Sequence, residues 1–206
     1  MEYKIDISPQ DFKASIEIME NRVKDITKKD KDELVWLLNY PSMYTCGANN
    51  NDKDLINKNI FPVFQTNRGG KYTYHGPGQR IVYLMIDQNK RQRDIRNFVE
   101  LVEKTIIMTL QRFGLNGIVK NTHHGVFIRK NDNKLYKIAS IGLKFKRWVS
   151  YHGFSFNINP DLEHYIGINP CGLKSNTVTS LKDLGIEIDR EEFDDIVIQE
   201  INNTFN

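Results

Sequence analysis

The sequence predicts an α+β or mixed α/β fold in a single domain spanning residues 1–206. Three observations predict it. Apolar residues recur at helical spacing in a few long stretches, short β-rich runs cluster between them, and no linker or internal repeat divides the chain. The first helix is expected to open at Ser8-Pro9-Gln10-Asp11, with Ser8 as cap, Pro9 in the first turn and Asp11 favourable to the dipole. Its stripe is Phe12, Ile16, Met19, Val23 and Ile26. Residues 33–39, bounded by charges and Pro41, read as a buried strand, and 46–60 as an irregular surface loop. A short strand is expected over 62–66 and a buried one over 80–87. Between them, residues 67–79 hold the densest glycine cluster in the chain. Residues 94–113 are helical, with Ile95, Phe98, Val102, Ile106, Leu110 and Phe113 on one face and Gly114 as terminator. Three strands follow over 125–129, 135–145 and 148–158, then one helical turn over 161–166. Asp189-Arg190-Glu191-Glu192 resembles a capping box ahead of a last helix carrying Phe193, Val197 and Ile201.

Composition narrows the function classes. A 206-residue chain buries about 70% of its unfolded surface and needs no disulfide or metal to hold its core. Two cysteines make neither a disulfide scaffold nor a four-thiolate zinc site, and leave two free thiols. A net charge of +3 is too small to imply sequence-independent nucleic-acid binding. The opening MEYKIDISPQDF lacks an apolar core and carries acids early, so it does not read as a secretory signal. No apolar run approaches the roughly 20 residues that span a bilayer. A soluble, cytoplasmic protein is the expectation.

Chemistry concentrates in four segments. Arg68 to Gln79 (RGGKYTYHGPGQ) puts four glycines, an arginine and a histidine between two strands. Glycines there let the backbone approach a ligand, and exposed N–H groups can hold an oxyanion or carbonyl. The GxxxxGK[ST] phosphate loop and the GxGxxG dinucleotide pattern are both absent. Asn169-Pro170-Cys171-Gly172 pins a cysteine on a tight turn. Cys46 also precedes a glycine; an inert cysteine is the commoner outcome for either, and local sequence does not choose between them. Lys137 stands in KIASIG, among apolar and small residues. Burial disfavours a charged ammonium, which makes a lysine there a possible base or thiolate partner; a solvent-facing strand lysine is the alternative. His152 precedes Gly153 in a strand, which suggests a bulge or a close approach to a ligand, against a buried structural histidine. His75, His123, His124, His152, Cys46 and Cys171 show no metal-ligand spacing.

Taken in order, RGGKYTYHGPGQ (68–79), KIASIG (137–142), HGFSFNIN (152–159), NPCG (169–172) and VTSL (178–181) resemble the lipoate-pathway octanoyltransferases. The resemblance implies a mixed, largely antiparallel sheet flanked by helices, as in the catalytic domains of lipoate- and biotin-protein ligases. It implies Cys171 as nucleophile and Lys137 as its partner. Acyl and carbonyl contacts would come from Arg68, Gly69, Gly70, Lys71, Tyr72, Thr73, Tyr74 and His75, from Ser140, Ile141 and Gly142, and from Gly153, Phe154 and Ser155. The implied donor is octanoyl-acyl carrier protein. The implied acceptors are lysines on lipoyl domains of 2-oxoacid dehydrogenases and on the glycine cleavage H protein, in the first step of endogenous lipoate biosynthesis. Thioester exchange is nearly balanced and amide formation from a thioester is downhill, so neither ATP nor a cofactor is implied. The alternatives are an ATP-dependent lipoate-protein ligase, and a catalytically silent adaptor that binds an acidic partner through Lys90, Arg91 and Arg93 or through Lys144, Lys146 and Arg147.

Overall fold

The computed structural model describes residues 1–120, 123–169 and 177–205. Over these residues the chain forms a seven-stranded sheet in the order β1-β2-β6-β10-β9-β8-β7 and a three-stranded sheet in the order β4-β3-β5. The strands are β1 (Glu2–Ile5), β2 (Leu34–Leu38), β3 (Met43–Cys46), β4 (Val63–Gln65), β5 (Tyr72–His75), β6 (Gln79–Met85), β7 (Ile118–Lys120), β8 (His123–Arg129), β9 (Leu135–Lys146) and β10 (Val149–Asn157). The helices are α1 (Phe12–Lys28), α2 (Ile95–Gln111) and α3 (Arg190–Phe205). In the large sheet only the β1–β2 pair is parallel, so the sheet is mixed and largely antiparallel, as expected.

The three helices fall where the apolar stripes put them, and local chemistry corrects their ends. Asp11, not Ser8, caps α1: its carboxylate accepts from the Ala14 N–H at 2.8 Å, which starts the helix at Phe12. Ser8 instead offers its carbonyl to the Gln10 side chain. Asp94 caps α2 through the N–H groups of Arg96 and Asn97, leaving Ile95 on the first turn and 48% exposed rather than on the buried face. Asp189 caps α3 by accepting from the Glu192 N–H, as the capping-box reading expects.

α2 and α3 cover one face of the large sheet. Phe98, Val102, Ile106 and Leu110 of α2 and Phe193, Val197 and Ile201 of α3 meet Val82, Leu84, Val126, Ile141, Phe154 and Phe156. Each such side chain contributes about 1.5–3 kcal/mol on burial. α1 covers only part of the opposite face, where Met19, Val23 and Ile26 pack on Trp36, Leu38, Ile81, Tyr83 and Met85. β6 runs through the middle with all seven residues buried. Even Arg80 is fully buried; its guanidinium makes a two-pronged contact with Asp194 at 2.7 and 2.6 Å, which clips α3 to the sheet. Arg91, one of the basic residues considered for docking, is likewise a clip. It pairs with the buried Glu33 and reaches the carbonyl of Phe205.

The small sheet is the main departure from the sequence pattern, in which residues 67–79 stand out only as a glycine cluster between two strands. Tyr72–His75 is instead a strand paired antiparallel to β3, with Thr73 opposite Thr45 and Tyr74 opposite Tyr44. Alternation turns Tyr44, Cys46, Tyr72 and Tyr74 toward a separate apolar cluster with Tyr165, Ile168 and Val178. Thr45, Thr73 and His75 turn the other way, toward the large sheet.

Candidate active site

Where α1 stops covering the large sheet, the strands present small residues in rows. Ile81 of β6 pairs with Ser155 of β10, which pairs with Ser140 of β9, which pairs with Gly125 of β8. The adjacent row is Tyr83, Gly153 and Gly142. Each row therefore starts large and apolar at β6 and continues as serine and glycine. This leaves a channel across the strands, roofed by Thr45, Thr73 and His75, with a cavity of about 220 Å³.

The glycine-rich loop closes the roof. Arg68 is 8% exposed and folds back on its own loop, donating to the carbonyls of Thr45, Gly69 and Lys71 at 3.0 Å and to Thr45 Oγ1 at 2.8 Å. The loop lies on the sheet because residue 142 is glycine. A Cβ there would stand 2.8 Å from Arg68 Cδ and 3.1 Å from the Gly69 carbonyl. Lys71 at the cavity edge pairs with the buried Asp54 at 3.0 Å. Asp54 in turn accepts through its carbonyl from the Asn169 N–H at 2.8 Å.

Two histidines face this guanidinium. Burial, then the charge of Arg68, pushes His75 down to about 3. Burial, Arg68 and Lys144 push His152 down to about 3 as well. Both rings are therefore neutral near pH 7. His75 Nδ1 faces Gln79 Oε1 at 3.3 Å, and Gln79 continues through Asn157 and Tyr165, while Asn157 donates to the Thr179 carbonyl. His152 takes φ +59° within β10, a conformation uncommon for a residue with a side chain, and its N–H points at the Met19 sulfur. The bulge or close approach suggested by His-Gly thus has a backbone counterpart.

Lys137 reaches the β8 end of the channel through a bulge. Val126 pairs with Ala139 and Phe127 with Lys137, so Ile138 is skipped. Lys137 is 2% exposed, stands over the Phe127 ring, and donates through Nζ to the carbonyl of His124, a residue lining the cavity. A Cβ on Gly125 would lie 3.3 Å from Lys137 Cε. The backbone of Lys137 also holds the chain that follows the NPCG segment. Its N–H donates to the Thr177 carbonyl and its carbonyl accepts from the Thr179 N–H.

Of the sequence-derived site residues, Arg68, Gly70, Lys71, Tyr72, Thr73, His75, Ser140, Ile141, Gly142, Gly153, Phe154 and Ser155 line one cavity. Gly69 sits under Gly142 at its edge. Tyr74 does not face the cavity; it packs with Tyr44, Phe61 and Tyr165 and bonds Ser42 and His164. Cys171 lies outside the described residues. The sequence reading missed Phe12, Thr45, Ile81 and Tyr83, which reach the cavity from core elements and carry no local signal. Cys46 is buried on the far side of the small sheet, in the tyrosine cluster. Among the described residues no three His, Cys, Asp or Glu side chains cluster as metal ligands, and no helix is long and apolar enough to cross a membrane.

Comparison with known proteins places this architecture. The octanoyltransferase of Neorickettsia sennetsu is 46% identical over 91% of this chain and 90% of its own length. That of Ehrlichia ruminantium (strain Gardel) is 42% identical over 100% of this chain and 99% of its own. The fold is shared with a Thermoplasma acidophilum protein described as a putative lipoate protein ligase with bound lipoic acid, at TM-score 0.74, 14% identity, and coverage of 99% of this chain and 85% of that one. A biotin protein ligase from Aquifex aeolicus follows at TM-score 0.55 and 12% identity, over 99% of this chain and 68% of that one. The family model of the lipoyl protein ligase A/B catalytic domain matches residues 11–202, and with octanoyltransferases aligning along almost the whole chain, the protein belongs to that family on its octanoyltransferase side.

Proposed function

We propose that residues 1–206 form one catalytic domain that moves an octanoyl group from acyl carrier protein to a lysine of a lipoyl domain, through a thioester on Cys171. The observation that carries this reading is the channel. Three of the sequence segments that resemble those of octanoyltransferases converge on it, and Lys137 stands at its β8 end while tethering the backbone of Thr177 and Thr179. At about 220 Å³ the cavity lies below the roughly 300–1,000 Å³ of drug-sized sites, which suits a slender chain.

The Cys171 thiolate attacks the donor carbonyl, the carbon–sulfur bond to the carrier's pantetheine arm breaks, and the leaving thiolate takes up the proton that Cys171 gave. Lys137 favours the thiolate by its charge and carries that proton between the two sulfurs. The acceptor amine then attacks the acyl-enzyme, an amide forms, its surplus proton passes to Lys137, and the thiolate–ammonium pair is regenerated. The neutral imidazoles of His75 and His152 leave the Arg68 guanidinium and the loop N–H groups as the electropositive side of the cavity, next to the carbonyl that gains charge. The reaction takes place in the cytoplasm and uses no ATP.

Intact mass after incubation with octanoyl-acyl carrier protein tests the reading. An octanoyl adduct that is lost in Cys171→Ala is the expected result. An adduct that survives Cys171→Ala, or none in the unaltered protein, overturns it. Pyrophosphate release from ATP with free octanoate favours the ligase instead.

A further inference from the structure

At its α1 end the channel runs against bulky packed side chains, and the position of that end sets a length. Its floor runs across the strands, from Gly125 and Ser140 beside Lys137, through Ser155, to Ile81. Ile81 and Tyr83 belong to the apolar cluster under α1 and end the run of small residues. Above them stands Phe12, the residue of α1 that lines the cavity. Its ring is held between Tyr40 at 5.4 Å and Phe64 at 5.0 Å, and Tyr40 is held in turn by a 3.0 Å hydroxyl contact with Tyr83. The wall is thus a packed aromatic group at 7% exposure for Phe12 and 0% for Tyr40, anchored by the Asp11 cap directly before it.

Two strand spacings separate Ser140 on β9 from Ile81 on β6, about 10 Å. A peptide advances about 3.3–3.6 Å over three backbone bonds, hence roughly 1.2 Å per bond, and the seven carbon–carbon bonds of an octanoyl chain span about 8 Å. An acyl group whose carbonyl lies at the β9 end therefore brings its methyl to Phe12 at eight carbons. Two further methylenes would extend the chain to about 11 Å, past that wall.

We propose that Phe12 is the stop of an acyl ruler and is the residue that fixes the chain length this protein accepts. The proposal rests on the acyl-transfer reading for the identity of the ligand. Its own content is which end of the cavity is closed, and by what.

The test is titration of the full chain, unaltered and as Phe12→Ala, Phe12→Leu and Phe12→Trp, with hexanoate, octanoate, decanoate and dodecanoate, by calorimetry. In the unaltered protein affinity is expected to rise up to octanoate and fall at decanoate. A methylene that finds room is worth about fourfold in affinity. Phe12→Leu and Phe12→Ala should therefore move the decanoate-to-octanoate ratio up to about sixteenfold toward decanoate. Phe12→Trp should move the optimum toward hexanoate. If Phe12→Ala does not fold, Phe12→Leu and Phe12→Trp still give opposite displacements. An unchanged ranking in variants that melt cooperatively overturns the ruler, as does a ranking in the unaltered protein that keeps rising through dodecanoate. Binding of the free acids does not use Cys171. A ranking that moves while no acyl-enzyme forms upholds the ruler and sinks the transfer reading. An unmoved ranking with normal acyl-enzyme formation does the reverse.

Discussion

The two faces of the seven-stranded sheet are built from the same strands to opposite ends. On the α2/α3 face, β9 and β10 present Ala139, Ile141, Phe154 and Phe156, closed over by two helices. On the other face the intervening residues are Ser140, Gly142, Gly153 and Ser155. Close packing on the first face supplies stability that the second does not. The small side chains of the second give up dispersion contacts and burial to leave a channel. The second face also holds the costly groups: a buried guanidinium, two neutral histidines, a buried lysine and a backbone conformation disfavoured for His152. One strand thus serves two purposes by alternating them residue by residue.

Substitutions should separate the faces. The largest effect is expected at Lys137. Lys137→Met keeps the aliphatic stem over Phe127 but removes the ammonium. Acylation should slow by about 10²–10⁴-fold, the usual contribution of a positioned proton-transfer group, and the pH–rate profile should move to higher pH. The melting temperature should change little beside that. An unchanged profile removes Lys137 from the chemistry.

Phe156→Ala is the counterpart on the packed face. It touches Phe193 at a ring separation of 4.8 Å and is fully buried. The expected loss is about 3–5 kcal/mol of stability in denaturant unfolding. Acylation per folded molecule and the fatty-acid ranking should be unaltered. If the ranking moves, the two faces are coupled through β10.

How much of this division was readable in the sequence depends on the range of the interactions that create it. Helical stripes and β-rich runs are local, so all three helices and the central strands were legible. The segments at 68–79, 137–142 and 152–155 were legible as special because glycine, histidine and lysine are unusual among apolar strand residues. The strand at Tyr72–His75 was not, because its glycine-rich flanks read as loop and its partner β3 has no distinct local pattern. The face of Lys137 was not legible either. Strict alternation puts residue 137 on the same side as Ala139 and Ile141, in the packed core. The skipped pairing at Ile138 reverses that, and it arises between two strands. Phe12 and Thr45 join the cavity only through tertiary packing. Asp11 displaced Ser8 as cap because its carboxylate reaches the Ala14 N–H, a competition between neighbours that both fit the local rule.

The smallest effect is also the most specific to the channel face. The folded protein holds His75 and His152 at about 3, against about 6.5 in the unfolded chain. Above pH 6.5 neither state binds these protons, and the two histidines add no pH dependence. As pH falls through 6.5 the unfolded chain takes up protons that the folded chain refuses. Each histidine then removes about 1.4 kcal/mol of stability per pH unit until the pH nears 3. His75→Gln should flatten the stability curve between pH 5.5 and 4 by about that slope, measured by urea unfolding at each pH. Phe156→Ala should lower the whole curve without changing its slope, because it removes packing and no titrating group. Parallel curves for His75→Gln and the unaltered protein would mean that the imidazole takes up a proton in the folded channel. The electropositive character assigned to that face would then be shared with His75 instead of resting on Arg68.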